Sequence, residues 1–269
     1  MKKTGLALGG GVVLGAAHIG VLNTLEEEQI EVSYIAGTSI GAFVAALFAF
    51  GKSWQEIKDI AIGISWSDIT KISLSKYGLL SNRKLKDIIT EHIGEKNIEE
   101  AIIPLAIIAT DVTRGEKVVL KQGPVVDAIM ASTCMPGIFK PVEYNGKLLV
   151  DGGIVENVPI NTVHEMGADF IIAVDLNAKH TYDKPGNILD IISNSFHFIM
   201  QTSAKLQTEN ADLLIQPNLS EFNRKDMKQI EAIINKGYND SQVAFEKYRE
   251  NKKLINRVKN LFASDKTDK

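Results

Sequence analysis

The chain predicts a three-layer α/β/α fold with a largely parallel central sheet. Three observations carry that expectation. Short apolar runs of strand length alternate with helix-spaced segments over most of the 269 residues. Ile103–Ala109 is almost continuously apolar, as in a strand covered on both faces. Ile40–Phe50 is apolar all round, which suits a helix buried on every side. A hydrophobic fraction of 45% and a charged fraction of 23% are ordinary for a globular domain. A chain of this size buries a sizeable core without help from disulfides or a metal.

In chain order, Thr4–Leu8 reads as a buried first strand running into glycines. Gly15–Glu28 has helical spacing, with Ala16, Ile19, Leu22 and Leu25 on one face. Val32–Ala36 is a second strand and Ile40–Phe50 the buried helix. Trp54–Ile62 and Asn82–Ile93 are expected helices. The stretch between them, Ser65–Ser81, reads as irregular, with Trp66, Ile69, Ile72, Leu74, Tyr77 and Leu79 scattered among polar residues. It is a candidate access lid or membrane-touching loop, weighed against ordinary packing under a surface loop.

Ile103–Ala109 is a central strand, and Thr113-Arg114-Gly115 turns into Lys117–Leu120. Val125–Ala131 is a short helix. Asn145-Gly146 joins Val142–Tyr144 to Lys147–Val150 as a hairpin. Pro159–Met166 is a helix, Phe170–Val174 a strand, Ile188–Leu206 a long helix, Asp212–Ile215 a last strand and Asp226–Phe262 mostly helix. No linker splits the chain, so residues 1–269 are expected to form one domain. Its motif-bearing core covers about 5–176 and its C-terminal, mostly helical portion about 187–263. Ser264–Lys269 reads as a frayed tail.

A net charge of −3 makes no electrostatic case for nucleic acid. The single cysteine, Cys134, rules out a disulfide framework within the chain and fits a reducing compartment. Beside Met135 and Pro136 it reads as a small buried residue rather than a nucleophile. Lys2-Lys3 and the apolar stretch to Ala17 imitate a signal peptide, but the stretch is rich in glycine rather than leucine. No run approaches the roughly 18 apolar residues of a membrane span. A cytoplasmic protein is expected, with transient peripheral contact at a membrane surface and no cofactor or metal.

Chemistry concentrates in three motifs. Gly37-Thr38-Ser39-Ile40-Gly41 lies between an expected strand and an expected helix. That is the strand–turn–helix setting of a G-x-S-x-G nucleophile elbow, with Ser39 at a helix N-terminus whose partial positive charge favours a developing anion. Gly9-Gly10-Gly11 follows the first strand, where amides unhindered by a Cβ can converge on an anion. The dinucleotide and P-loop fingerprints both fail in this segment. Leu14 or Val12 stands where the first requires glycine, and Ala16-Ala17 where the second requires lysine and a hydroxyl residue. For a base, three aspartates follow apolar strands: Asp111, Asp151 and Asp175. Asp151 stands apart because Gly152-Gly153 follows it and permits close approach. A Ser–Asp–His triad in α/β-hydrolase order is also open, with His164, His180 or His197 as the third member. His18, one turn after Gly15, reads as a residue bonded to its neighbours.

The order of these motifs, glycine loop, then Gly37–Gly41, then Asp151-Gly152-Gly153, resembles the patatin-like phospholipase family. Gly5–Gly11 and Ala16–Leu22 are similar to the first strand and helix of its bacterial members. Ala131-Ser132 through Pro136 and Phe139-Lys140-Pro141 are similar to another family segment. The resemblance spans roughly residues 5–176. It implies a Ser–Asp dyad without histidine, Ser39 as nucleophile and Asp151 as base, with oxyanion donors among the backbone amides around Gly10 and Gly11. It also implies acyl esters of lipids as substrates and no metal in the core chemistry. Two departures stand out: Val12 replaces a usual third glycine, and Leu14 a usual basic residue. Val12 is β-branched and disfavours positive φ. Losing the cation removes positive charge near the oxyanion site, which bears on rate and leaves a weakly active or non-catalytic lipid-binding homologue as an alternative.

Overall fold

A computed structural model of the chain describes residues 2–64, 71–75, 78–81, 83–179, 182, 184–224 and 226–264. Its strands are β1 (Thr4–Leu8), β2 (Val32–Thr38), β3 (Lys71–Ser75), β4 (Gly78–Ser81), β5 (Leu105–Asp111), β6 (Glu116–Leu120), β7 (Val142–Tyr144), β8 (Lys147–Asp151), β9 (Phe170–Val174) and β10 (Leu213–Ile215). The helices are α1 (Ala17–Glu27), α2 (Ile40–Ala49), α3 (Trp54–Gly63), α4 (Arg83–Ile93), α5 (Val125–Ser132), α6 (Ile160–Glu165), α7 (Ile188–Gln207) and α8 (Ile230–Ser264).

The main sheet runs β10-β9-β1-β2-β5-β8-β7, with β6 also paired to β5. From β10 to β5 all pairings are parallel. Beyond β5 they are antiparallel, because β7 and β8 form the Asn145-Gly146 hairpin and β6 returns directly from β5. The expected parallel sheet is therefore present, with an antiparallel end.

Alternation along the parallel strands separates the two faces. Leu6, Leu8, Ile35, Leu105, Ile107, Ile172 and Val174 join a large core with residues of α1–α5 and α8. Ala7, Ala36, Ala106 and Ala173 form the opposite face with residues of α6 and α7. Those four alanines are in register across the sheet, Ala173 beside Ala7, Ala7 beside Ala36, and Ala36 beside Ala106. The small-residue row lets α6 and α7 approach closely, and the branched face receives the thicker helical layer.

Several elements differ from expectation. Val12–Ala16 is a 3₁₀ turn rather than the start of a helix, so α1 begins at Ala17. β2 continues to Thr38 because Gly37 pairs with Leu8 and Ile107, and Thr38 with Ile108. Lys71–Ser75 and Gly78–Ser81, expected to be irregular, pair antiparallel. The alternation of Ile72 and Leu74 with polar residues is the local signal for it. The rest of the Ser65–Ser81 stretch, including Trp66, Ile69 and Tyr77, lies outside the described residues, as does the tail from 265. Among the described residues no helix is long and apolar enough to cross a membrane.

Candidate active site

The register around β5 explains why two motifs 112 positions apart in sequence (39 to 151) meet in space. β6 occupies one edge of β5 from Ile107 to Asp111. The other edge is shared: β2 reaches Ile108 through Thr38, and antiparallel β8 ends at Ala109 through Asp151. The two strands thus abut end to end, carrying Ser39 and Asp151 to the same point. Glycine makes the junction possible. A Cβ on Gly152 would collide with the Ile108 carbonyl oxygen, and one on Gly153 would sit 2.8 Å from Met200 Cε.

Ser39 has φ 55° and ψ −125°, so the strain of the turn falls on the serine itself. The glycines flanking it serve close approach rather than left-handed backbone. None of Gly37, Gly41, Gly152 and Gly153 has positive φ. A side chain on Gly37 would strike the Gly41 carbonyl, one on Gly41 the Leu8 carbonyl, and one on Gly15 the Ile40 side chain. The Ser39 amide donates to Ser132 Oγ at 2.8 Å, and Ser132 in turn donates to the Ile108 carbonyl at 2.6 Å. Buried Ser132 thereby ties the elbow to β5 at the junction of β2 and β8.

Asp151 is 1% exposed. Burial pushes its carboxyl up to about 7, opposed by hydrogen bonding with the Ser39 side chain and by the Gly153 amide, which donates to Oδ1 at 2.8 Å. The carboxyl is therefore poised to exchange a proton near neutral pH, and its hydrogen-bonding neighbour is the serine rather than an imidazole.

The glycine loop is held through the N–H and C=O of two successive residues. Gly9 N donates to the Val174 carbonyl at 3.1 Å, and its own carbonyl lies 2.7 Å from His18 Nε2. Gly10 N donates to Asn157 Oδ1 at 3.1 Å, and Asn177 Nδ2 donates to Gly10 O at 2.8 Å. Burial lowers the His18 pKa to about 4, so the ring is neutral at pH 7 and its proton sits on Nε2, facing the carbonyl. The amides expected as oxyanion donors differ in their bonding. The Gly10 amide is already engaged, whereas among the described residues the Gly11 and Val12 amides have no acceptor. Val12 has φ 56°, so the β-branched residue does occupy the left-handed region. Leu14, the second departure noted in the sequence, is fully buried in the core.

Ser39, Asp151 and Val12 line one cavity of about 510 Å³. Much of its wall is apolar, including Phe43, Val44, Ile57, Leu85 and Phe139, while Tyr182, Lys184, Asn194 and Arg224 bring polar groups. Of the three candidate acids, Asp151 alone lines it. Asp111 caps a turn, accepting from Thr113 N at 3.0 Å. Asp175 accepts from Asn177 N at 2.9 Å. Among the candidate histidines, His197 lines the cavity from α7, His164 is exposed on α6, and His180 lies outside the described residues. Cys134 donates Sγ to the Lys140 carbonyl, and burial pushes its thiol up to about 12, so it stays protonated. Among the described residues no cluster of His, Cys, Asp and Glu suits a metal.

Asn157, Asn177 and Arg224 are not marked by the sequence, and Ser132 is marked only as part of the Ala131–Pro136 segment, without its bond to the elbow. Asn157 and Asn177 bond Gly10 across 147 and 167 positions. For the asparagines and the arginine, the available signal is the placement of Asn177 just after an apolar strand.

A three-layer α/β/α protein with serine, acid and glycine turn gathered at strand ends is the class that fold and site define. Residues 6–164 match the family model described as patatin-like phospholipase, and the chain belongs to that family. An uncharacterized NTE family protein of Mycobacterium bovis is 37% identical over 180 residues, covering 66% of this chain and 50% of that protein. A lysophospholipase of Saccharomyces cerevisiae is 32% identical over 183 residues, covering 66% of this chain and 11% of that one. The chain thus spans about half the length of its mycobacterial relative. In fold it is similar to VipD from Legionella pneumophila, with TM-score 0.53, 14% identity, and coverage of 92% of this chain and 67% of that one.

Proposed function

We propose that the chain hydrolyses acyl esters of lipids through an acyl-serine intermediate, with Ser39 as nucleophile and Asp151 as general base. The observation that carries this reading is the buried carboxyl facing the strained serine in one largely apolar cavity. Asp151 takes the hydroxyl proton as Ser39 Oγ attacks the ester carbonyl. Amides of the glycine loop, with Gly11 and Val12 favoured over Gly10, stabilise the oxyanion. The alcohol leaves with the proton, and water activated by Asp151 releases the fatty acid. An ionisation near pH 7 suits a base working at neutral pH. Membership of the family and a relative named as a lysophospholipase support a lipid substrate.

Contact with a membrane surface is part of the same proposal. α7 exposes Ile188, Ile191, Phe198, Ile199 and Leu206, while Leu189, Ser193 and His197 on that helix line the cavity. An exposed apolar face on a helix that also walls the cavity suits an enzyme that draws its substrate from a lipid surface.

The test is ester turnover with a fluorophosphonate label. Ser39→Ala and Asp151→Asn should each lower kcat by at least about a thousandfold with circular dichroism unchanged. The label should reside on Ser39 and vanish in Ser39→Ala. Turnover that survives either substitution reassigns that role, and loss of turnover on His197→Gln alone would favour a triad.

A further inference from the structure

Arg224 has no part in the chemistry proposed above, yet its position is unusual. The residue is 9% exposed and lines the cavity that holds Ser39 and Asp151. One guanidinium nitrogen, Nη2, donates to Asn177 Oδ1 at 2.9 Å. Nε and Nη1 are buried and, among the described residues, meet no acceptor. A cation withdrawn from water with open donors is costly unless an anion reaches it. Asp175 and Tyr182 influence it electrostatically, but among the described residues Arg224 forms no ion pair. Asp175 directs its carboxylate elsewhere, accepting from Asn177 N at 2.9 Å and from Gln216 Nε2 at 3.4 Å. Burial draws the guanidinium down only to about 10, so it remains a cation at neutral pH.

The mounting is a built one. Asn177 is fully buried. It receives Arg224 on its side-chain oxygen and donates its Nδ2 to the Gly10 carbonyl at 2.8 Å. Its backbone carbonyl accepts from Gln201 Nε2 at 2.8 Å. One carboxamide therefore fixes the guanidinium relative to the glycine loop. Leu14, beside that loop, is buried in the core, and Arg224 brings a cation to the cavity from a distant segment.

The geometry points to Arg224 as a binding residue for an anionic oxygen group of the substrate, the phosphate of a single-chain phospholipid, held by the under-bonded guanidinium of a residue that lines the cavity while the acyl chain fills its apolar part. This rests on the acyl-hydrolase reading for its substrate but not for its measurement. Calorimetric titration on the Ser39→Ala protein, which cannot turn over, compares dodecyl phosphate with 1-dodecylglycerol at pH 7.5. The phosphate should bind about ten- to a hundredfold more tightly. Arg224→Gln should erase that preference and leave dodecylglycerol affinity within about twofold. Arg224→Lys should restore part of it, since the charge survives without the planar fork.

Equal affinity for the two probes in the Ser39→Ala protein overturns the proposal without any variant of Arg224. A preference that survives Arg224→Gln, or an equal loss of both probes, also overturns it and leaves the arginine a structural tie. Inorganic phosphate that binds as tightly as dodecyl phosphate and displaces it would mark a free-phosphate site instead. A failed acyl-hydrolase reading would appear separately, as wild-type protein that binds dodecyl phosphate yet turns over no ester.

Discussion

Two residues hold the strain of the site, and both sit where a proton or an oxyanion would be handled. Ser39 and Val12 have φ of 55° and 56°, in a region that costs a non-glycine residue on the order of 1–3 kcal/mol. Val12 is held there because the peptides before it are pinned by Val174, His18, Asn157 and Asn177. Asp151 stores a different cost. Its folded pKa of about 7 lies above the unfolded value of about 3.9, so the folded chain binds the proton more tightly. Stability therefore falls as pH rises from about 4 to about 7 on account of this group. His18 has the opposite sign: its folded pKa of about 4 lies below about 6.5, so its burial favours folding increasingly from pH 4 to 6.5. The two oppose each other in the native protein. Asp151→Asn removes one of them. Its stability in urea, relative to the unmodified chain, should grow by a few kcal/mol between pH 4.5 and 7.5. The gain is roughly 1.4 kcal/mol for every tenfold fall in proton concentration over which the folded carboxyl keeps a proton that the unfolded chain has lost. Unmodified protein should show a rising limb of kcat/KM near pH 7. A stability difference that does not vary with pH would mean the carboxyl is not held protonated by the fold.

At the level of elements, the site depends on backbones that touch. α1 carries His18 to the glycine loop and is itself held by α8. A Cβ on Gly20 would collide with the Ile234 carbonyl and Tyr238 nitrogen, and one on Gly237 with the Ala17 carbonyl. Hydroxyls of Thr24 and Ser241, 2.5 Å apart, join the same two helices. Replacing glycine by alanine inside a helix ordinarily stabilises it by up to about 1 kcal/mol. Here Gly20→Ala and Gly237→Ala should each destabilise by about 1–3 kcal/mol in thermal or urea unfolding, since the helices must separate. Stabilisation by either change would show that this crossing has room to spare.

Across the molecule, one side of the cavity comes from the segment that matches the family model and another from beyond residue 164. Arg224, Tyr182 and the α7 face belong to the second part. If that face meets lipid, Ile188→Glu with Phe198→Glu should lower co-sedimentation with phosphatidylglycerol vesicles by about tenfold or more, two apolar side chains being lost from the contact. Turnover of a short water-soluble ester should stay unchanged. Unchanged sedimentation would remove α7 as the docking face.

The alternation of strand and helix, the buried Ile40–Phe50 helix, the Asn145-Gly146 hairpin and the three glycine-bearing motifs were all legible in the chain. Each is a local pattern, set by side-chain periodicity or by the backbone needs of a turn. The pairing of Ser39 with Asp151 was reached from motif order and family resemblance, while residue chemistry alone left Asp111, Asp175 and a histidine open. What brings Asp151 beside Ser39 is the shared edge of β5, a relation of register between strands far apart in sequence. The same holds for Ser132, Asn157, Asn177 and Arg224. A single polar residue carries no periodicity, and its role exists only once folding brings a distant backbone group within hydrogen-bond reach.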